Sequence, residues 1–253
     1  MILVPGLDGT ALLFYRQIPA LSRRLRVETF PLPDDPSCTM EGMVAELGAR
    51  LESLGLETGK ERVFLCGESF GGALSLSFAL AHPEKLRGLV IVNSFPYVRQ
   101  RVSIRLGPPL LRLIPWGAMP LVRRFTERRL HSSHTRPEDL REFHQRTRGI
   151  SRSGYVRRLE ILQSYDIRDQ LHRISVPTLF LAANQDRLVR AVEEARFMAA
   201  RVPSATVRVL DGFGHVCMIH HEFDLLEHIT PWLETIAGGK TSSTELGTSP
   251  ACA

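Results

Sequence analysis

The sequence has no apolar run of the ~20 residues that a membrane-spanning helix needs. Its first residues, 1–5, also lack the basic segment and the long apolar stretch of a secretory signal peptide. Cysteine is scarce, and the four that occur are far apart and have no metal-ligand spacing: Cys38, Cys66, Cys217 and Cys252. We therefore expect a cytoplasmic protein with free thiols and with neither a metal nor another cofactor.

Lysine is absent from residues 97–160, where 15 arginines and 5 acidic residues give a local balance of +10. The whole chain of 253 residues carries only +5, so the remainder is acidic, with 17 basic and 22 acidic residues. This contrast indicates a basic module inserted into an acidic body. Such a module attracts an anionic membrane surface, an acyl carrier or the phosphates of coenzyme A, although charge also covers ordinary solvated surfaces. No nucleic-acid-binding motif is visible, so nucleic acid is not an expected partner.

Short β-rich runs alternate with helical patterns, which is typical of an α/β fold with a mostly parallel, doubly wound sheet. The predicted strands are residues 1–4, 26–30, 62–66, 86–92, 177–183 and 206–210, and the predicted helices are 40–54, 71–81, 191–202 and 222–236. Residues 97–160 break this rhythm with a proline-bearing helical pattern. We predict a core of residues 1–96 and 161–237, an inserted helical cap of residues 97–160, and a disordered Gly/Ser/Thr-rich tail of residues 238–253.

A G-x-S-x-G motif at residues 67–71 follows one buried strand directly and opens a helix. Small residues two positions before and after a serine permit a sharp strand-to-helix turn that exposes the hydroxyl above the sheet. The motif without this context is weak evidence, but strand and helix together predict Ser69 as a nucleophile. We interpret Glu68 as structural.

A serine hydroxyl needs a base, and the base needs an acid that orients it. Polar loops follow the last two predicted strands, and they place Asp186 and His215 at the same sheet edge as Ser69. Only His215, among nine histidines, combines a glycine-rich loop with a position after a strand. Asp211 lies in the same loop as His215, which is a poor position from which to orient it. The position after strand 86–92, where some such enzymes place the acid, reads Asn93-Ser94 and has no carboxylate.

The glycine-rich residues 4–10 follow the first strand, and backbone amides there predict an oxyanion hole made by the N–H groups of Leu7 and Phe70. Gly6 and Asp8 are candidates for the substrate pocket, with local turn capping an equal alternative for Asp8 and Thr10. The apolar part of the cap adds three further pocket candidates, Leu111, Trp116 and Met119.

The P-G-L-D-G-T and G-E-S-F-G-G segments together resemble the α/β-hydrolase superfamily, in particular bacterial esterase-like proteins and plastid acyl-ester synthases. The resemblance covers residues 1 to about 236. It implies Ser69 as nucleophile, Asp186 as acid, His215 as base, and Leu7 and Phe70 as oxyanion donors. Two features depart from the family pattern. The usual His-Gly of the oxyanion loop is Pro5-Gly6, and the sequence starts inside the strand that an antiparallel hairpin usually precedes, so that either the hairpin is absent or the gene start was assigned too late.

These observations predict a serine hydrolase that cleaves a carboxylic ester of a small-molecule or acyl-chain substrate through an acyl-enzyme. Thioesterase or acyltransferase activity on acyl-CoA or acyl-carrier substrates remains open. A non-catalytic ligand-binding protein on the same scaffold is the remaining alternative. The fold alone does not decide among them.

Overall fold

The computed structural model describes residues 1–55, 62–99, 107–109, 111, 115, 117, 127 and 129–238. Most of the first half of the predicted cap, including Trp116 and Met119, lies outside the described residues, as does the predicted tail beyond residue 238. The core and the second half of the predicted cap lie within them.

Six parallel strands form the sheet, in the order β2-β1-β3-β4-β5-β6. They are β1 (Ile2–Val4), β2 (Glu28–Thr29), β3 (Val63–Glu68), β4 (Leu86–Val92), β5 (Thr178–Ala183) and β6 (Ala205–Leu210). All five strand pairings are parallel, which confirms the predicted sheet. The strand order reverses between β1 and β3, and in open α/β sheets the crevice at such a reversal holds the ligand.

The α-helices whose bounds lie within the described residues are α1 (Gln17–Leu21), α2 (Met40–Ser53), α3 (Phe70–Ala81), α4 (Pro137–Arg146), α5 (Arg152–Ser164), α6 (Ala191–Ala199) and α7 (Leu225–Ala237). Side-chain caps fix several of the starts. Thr39 accepts from the amide of Gly42 at 3.0 Å, and Asp224 accepts from the amide of Leu226 at 2.8 Å. The Asp224 cap explains why the last helix starts three residues later than the predicted residue 222.

Alternate side chains of the strands face opposite sides of the sheet, and each side packs against its own helices. On one side, Val4, Leu65 and Phe180 pack in a cluster with α2, α3 and α6. On the other, Leu3, Cys66 and Leu179 pack with α1 and α7. Because both faces are covered, the strands are apolar on both sides, and functional groups are confined to the loops at the strand ends.

The second half of the predicted cap contains helices α4 and α5. Helix α5 continues past residue 160 to Ser164 and buries Val156, Leu159, Ile161 and Leu162. A domain boundary at residue 160 would therefore divide a continuous helix. The division into core and cap stays a prediction.

Candidate active site

Ser69 lies at the sharp turn between β3 and α3, with φ of 54° and ψ of −116°. This backbone conformation costs a non-glycine residue roughly 1–3 kcal/mol and is concentrated at functional sites. At this turn the backbone segments on either side of the serine lie too close to other backbone atoms to leave room for a side chain. A Cβ at Gly67 would lie 2.3 Å from the carbonyl oxygen of Gly71, and one at Gly71 would lie 2.2 Å from that of Val4. The two motif glycines are therefore steric requirements.

A chain of hydrogen bonds joins the three residues that the sequence selects. The Oγ of Ser69 lies 2.9 Å from Nε2 of His215, and Nδ1 of His215 lies 2.7 Å from Oδ2 of Asp186. The second oxygen of Asp186, Oδ1, accepts from the amides of Leu188 at 2.8 Å and Val189 at 3.1 Å. All three side chains are buried. The arrangement allows His215 to accept the proton of Ser69 while Asp186 orients the ring.

Two effects act on the pKa of His215 in opposite directions. Burial disfavours the charged imidazolium and lowers the pKa. The Asp186 carboxylate, through its charge and its hydrogen bond, more than offsets this and raises the pKa above the ordinary value. A more basic imidazole is a better acceptor for the proton of a serine hydroxyl.

Asn93, directly after β4, holds the loop of His215 in place, and sequence reasoning missed this role. Its Oδ1 accepts from the amide of Ala183 at 2.8 Å, and its Nδ2 donates to the carbonyl of His215 at 2.7 Å and to that of Gly214 at 3.3 Å. Asn93 is buried and has a left-handed φ of 47°, which asparagine tolerates better than most residues. The sequence signal for this role was a polar residue directly after a buried strand. That position was considered only for the acid of the triad, and an asparagine cannot fill that role.

The predicted oxyanion loop, residues 4–10, lies against the nucleophile. A Cβ at Gly6 would be 3.5 Å from the Cβ of Ser69, which places this loop beside the serine. The loop is closed by a hydrogen bond from the amide of Gly9 to the carbonyl of Gly6 at 3.1 Å. Among the described residues, no hydrogen bond is made by the backbone amides of Leu7 or Phe70. Two amides without protein partners beside the nucleophile are what an oxyanion hole requires.

Asp8 belongs to the turn itself. Its Oδ2 accepts from the amide of Thr10 at 3.0 Å and from the hydroxyl of Thr10 at 2.8 Å. Burial raises the pKa of Asp8, and the bonds from Thr10 oppose that effect. The local turn capping, which the sequence left as an equal alternative, is therefore what the structure contains.

A cavity of about 230 Å³ opens over Ser69. Among the described residues, its apolar lining includes Leu7, Phe95, Val98, Leu130, Leu159, Leu162, Leu188 and Val189. Polar groups of Arg99, Arg190 and Glu194 also line it, and Arg99 is bonded to Glu194. Helix α5 supplies one wall through Tyr155, Leu159 and Leu162. A larger and more open groove of about 640 Å³ lies between α2, α3 and α5, but neither Ser69 nor His215 lines it.

Of the three pocket residues predicted from the cap, only Leu111 lies within the described residues. Leu111 does not line the cavity, and its carbonyl accepts from Nη2 of Arg152 at 2.7 Å. Trp116 and Met119 lie outside the described residues. Sequence reasoning missed Tyr155 and Leu159 because it assigned the pocket to the apolar first half of the cap.

Glu68 is fully buried next to the triad, and burial raises its pKa to about 8. The charge of His215 opposes this effect, whereas the carboxylates of Asp8 and Asp186 add to it. In the described part of the chain, Oε1 of Glu68 has no hydrogen-bond partner. Glu68 is therefore a neutral acid at pH 7, and its ionisation at higher pH places a charge close to His215.

Asp139, His220 and His221 have ligand atoms within 4.8 Å of one another, the spacing of a metal site. However, Oδ1 of Asp139 accepts from Arg16 at 2.8 Å, and Oδ2 lies 2.9 Å from Nδ1 of His221. Both carboxylate oxygens are thus already bonded, and the guanidinium repels a cation. We interpret this group as an ion-pair network.

The model of the family Hydrolase_4, described as serine aminopeptidase, S33, matches residues 38–223. The chain belongs to this hydrolase family. The structure also has the α/β-hydrolase fold, as its solved neighbours show. A thermophilic esterase from Thermogutta terrifontis has a TM-score of 0.81 at 22% identity, over 93% of this chain and 89% of that one. The enol-lactonase of Burkholderia xenovorans has a TM-score of 0.74 at 18% identity, over 94% of this chain and 89% of that one.

Two curated relatives with different names are similar in sequence to this chain. A putative carbamate hydrolase RutD of Stutzerimonas stutzeri is 27% identical over 245 residues, which cover 87% of this chain and 85% of the relative. A pimeloyl-[acyl-carrier protein] methyl ester esterase of Aeromonas hydrophila is 26% identical over 240 residues, which cover 90% and 93%. Both matches extend over most of each protein.

Among the helices in the described residues, none combines the length and the apolar character required to cross a membrane.

Proposed function

We propose that this protein is a serine hydrolase that cleaves carboxylic esters through an acyl-enzyme on Ser69. The observation that carries the proposal is the unbroken series of hydrogen bonds from Ser69 through His215 to Asp186, at the floor of an apolar cavity. Family membership supports hydrolase chemistry. The relative named as a methyl ester esterase supports an ester as the substrate.

In the proposed mechanism, Nε2 of His215 accepts the proton as Ser69 attacks the ester carbonyl. The amides of Leu7 and Phe70 then donate to the oxyanion, and each such donor contributes roughly 2.7–4 kcal/mol to lowering the barrier. His215 protonates the leaving alcohol, and water resolves the acyl-enzyme by the same steps in reverse order. The Asp186 side chain, bonded to Nδ1 of His215, stabilises the imidazolium.

The cavity favours an acyl group of medium length. Its lining is mainly aliphatic and aromatic, so burying each methylene contributes about 0.8 kcal/mol. At roughly 30 Å³ for a group the size of water, a space of 230 Å³ holds on the order of eight methylenes. A carbamate gains less from this lining, because a polar nitrogen takes the place of an apolar methylene. We therefore favour acyl esters over carbamates.

A panel of p-nitrophenyl esters with acyl chains from two to sixteen carbons tests this proposal. We expect kcat/KM to rise to a maximum near eight carbons and then to fall. The same acyl groups as thioesters of coenzyme A separate an esterase from a thioesterase, and phenyl carbamates test the carbamate alternative. A protein that hydrolyses none of these esters and resists labelling by a fluorophosphonate probe would be the non-catalytic member of the fold.

An anionic partner at the arginine-rich cap is part of the same proposal. Two cap arginines in the described residues are already paired, Arg141 with Glu138 and Arg146 with Glu142, which reduces the positive charge that they offer to a partner. Most of the apolar and basic residues of the first half of the cap, including Arg123, Arg124 and Arg128, lie outside the described residues. Replacing Arg123, Arg124, Arg128 and Arg129 with Gln should slow hydrolysis of an anionic acyl substrate selectively, and by less as salt rises. Equal rates at low salt for variant and parent, on anionic and neutral esters alike, would contradict an anionic partner.

A further inference from the structure

Arg158, on the cap helix α5, has a completely buried side chain. Its Nε donates to the carbonyl of Leu7 at 3.0 Å, and its Nη2 to the carbonyl of Asp8 at 3.4 Å. Its Nη1 donates to the carbonyl of Pro33 at 3.1 Å and to Oδ1 of Asp34 at 3.3 Å. A buried guanidinium is tolerated only when its donors are satisfied, and here every nitrogen of the guanidinium has a partner.

Two glycines make the space for this guanidinium. A Cβ at Gly9 would lie 2.6 Å from Nη2 of Arg158, and φ at Gly9 is +72°. A Cβ at Gly154 would lie 2.1 Å from Oδ1 of Asp34 and 3.0 Å from Nη1 of Arg158. The oxyanion loop and the cap helix thus each have a glycine, without a side chain, next to the guanidinium. A larger residue at Gly9 or Gly154 would displace the guanidinium of Arg158 or its partner Asp34.

The bonds to Leu7 and Asp8 fix the loop that carries a proposed oxyanion donor. In the proposed mechanism the amide of Leu7 donates to the oxyanion, while its carbonyl accepts a hydrogen bond from Arg158. The guanidinium therefore fixes the peptide groups that follow Leu7 and, through them, the direction of the Leu7 amide. An oxyanion donor lowers the barrier only if it is held in position before the charge develops. Helix α5 also forms a wall of the cavity through Tyr155 and Leu159. The same helix therefore shapes the acyl pocket and restrains the oxyanion loop.

We propose that Arg158 is a positioning residue that holds the oxyanion loop in its catalytic geometry from the cap helix. The proposal rests on the proposed function, because it assumes that the Leu7 amide stabilises the reacting oxyanion. It adds that the hole depends on a cap residue that does not itself touch the substrate.

Arg157 provides a matched control for Arg158. It is the adjacent residue on α5, and its Nε also donates to a backbone carbonyl, that of Cys38, at 2.6 Å. That carbonyl lies outside the oxyanion loop. Replacing Arg157 with Met therefore removes an arginine–carbonyl bond from the same helix and leaves the loop untouched. Arg158→Met removes every bond to the loop, and Arg158→Lys keeps the charge but loses the planar fork that reaches several carbonyls.

The test compares kcat and KM on a p-nitrophenyl ester with the inhibition constant of a trifluoromethyl ketone, which forms an oxyanion on the serine. We expect Arg158→Met to lower kcat by about 10²-fold, the lower end of the loss that follows removal of one oxyanion donor. Arg158→Lys should fall between Arg158→Met and the parent. KM should stay within about threefold, because the donor acts on the transition state. Affinity for the ketone should fall in proportion to kcat/KM, and Arg157→Met should match the parent.

A merely structural role for Arg158 predicts a different pattern. If folded Arg158→Met keeps the kcat and ketone affinity of the parent, the proposal is overturned. A fall in kcat without a fall in ketone affinity overturns it as well. If Arg158→Met does not fold, Arg158→Lys decides by the same two measurements. A parent protein that is inactive on every ester would instead contradict the proposed function, which keeps the two failures distinguishable.

Discussion

Replacing Asn93 with Ala tests how far catalysis depends on the loop that carries His215. The substitution leaves the amide of Ala183 and the carbonyl of His215 without their partners, which lie at 2.8 and 2.7 Å. Each buried group left unpaired costs about 1–3 kcal/mol, so we expect a loss of roughly 2–6 kcal/mol. For a domain of this size, that loss lowers Tm on the order of 10 °C.

The same substitution should also slow the reaction. Without Asn93, the backbone carbonyls of Gly214 and His215 lose the side chain that holds them, and a displacement of ~1 Å costs about 10²-fold in rate. The assay is kcat on a p-nitrophenyl ester at a temperature where circular dichroism shows the variant to be folded. Asn184→Ala is the matched control. Asn184 follows the next strand, and it also makes two side-chain hydrogen bonds, to Asp211 and to Gly212. It is exposed, and its bonds reach only the start of the same loop and not His215, so its loss should lower kcat much less than the loss of Asn93.

The refuting result for Asn93 is specific. A folded Asn93→Ala variant with the Tm and kcat of the parent would show that the three hydrogen bonds do not hold the His215 loop. Equal losses in Asn93→Ala and Asn184→Ala would show that the effect is not particular to the triad.

Three further predictions concern ionisable groups at the site. Asp186→Asn should lower kcat by roughly 10⁴-fold by destabilising the working tautomer of His215, whereas Asp211→Asn should be nearly neutral; the opposite ranking in a steady-state assay would identify Asp211 as the acid. Because Asp186 raises the pKa of His215, the acid limb of the kcat/KM–pH profile should lie above the ordinary imidazole value of 6.5, and a limb below 6.5 would contradict this. Glu68 has a pKa of about 8 in the native state and an ordinary value of 4.5, so between these pH values the native state binds more protons than the unfolded state. The free energy of unfolding should therefore fall as pH rises from 4.5 to about 8, with a limiting slope of about 1.4 kcal/mol per pH unit. Glu68→Gln should remove that slope in denaturant titrations at several pH values; an unchanged slope would show that Glu68 does not cause it.

The fold was predictable because it depends on local patterns. Alternation of apolar strands with amphipathic helices determines a parallel sheet, and the turn at Ser69 follows from glycines at fixed offsets. The positions of Asp186 and His215 follow from the same logic, because the carboxyl ends of parallel strands meet at one edge. Strand β3 runs two residues further than expected, to Glu68, because the motif itself begins within the strand.

The parts that escaped prediction depend on contacts between distant segments. Arg158 and Leu7 are 151 residues apart. Nothing in the sequence around Arg158 distinguishes it, as a buried residue, from the other arginines among the 15 of the predicted cap. Asn93 and His215 are 122 residues apart, and an asparagine after a strand is common in ordinary turns. The cavity lining was missed for the same reason, since an apolar face of α5 packs equally well against a core or around a substrate.

The most direct test of the central claim is to trap the acyl-enzyme. The parent protein is mixed with a p-nitrophenyl ester of medium chain length, quenched in acid within milliseconds, and digested for peptide mass mapping. The account predicts a burst of p-nitrophenol and one acyl group on the peptide that contains Ser69, and it predicts neither for Ser69→Ala. Hydrolysis by a folded Ser69→Ala variant at the parent rate, or an acyl group on a different residue, would contradict it.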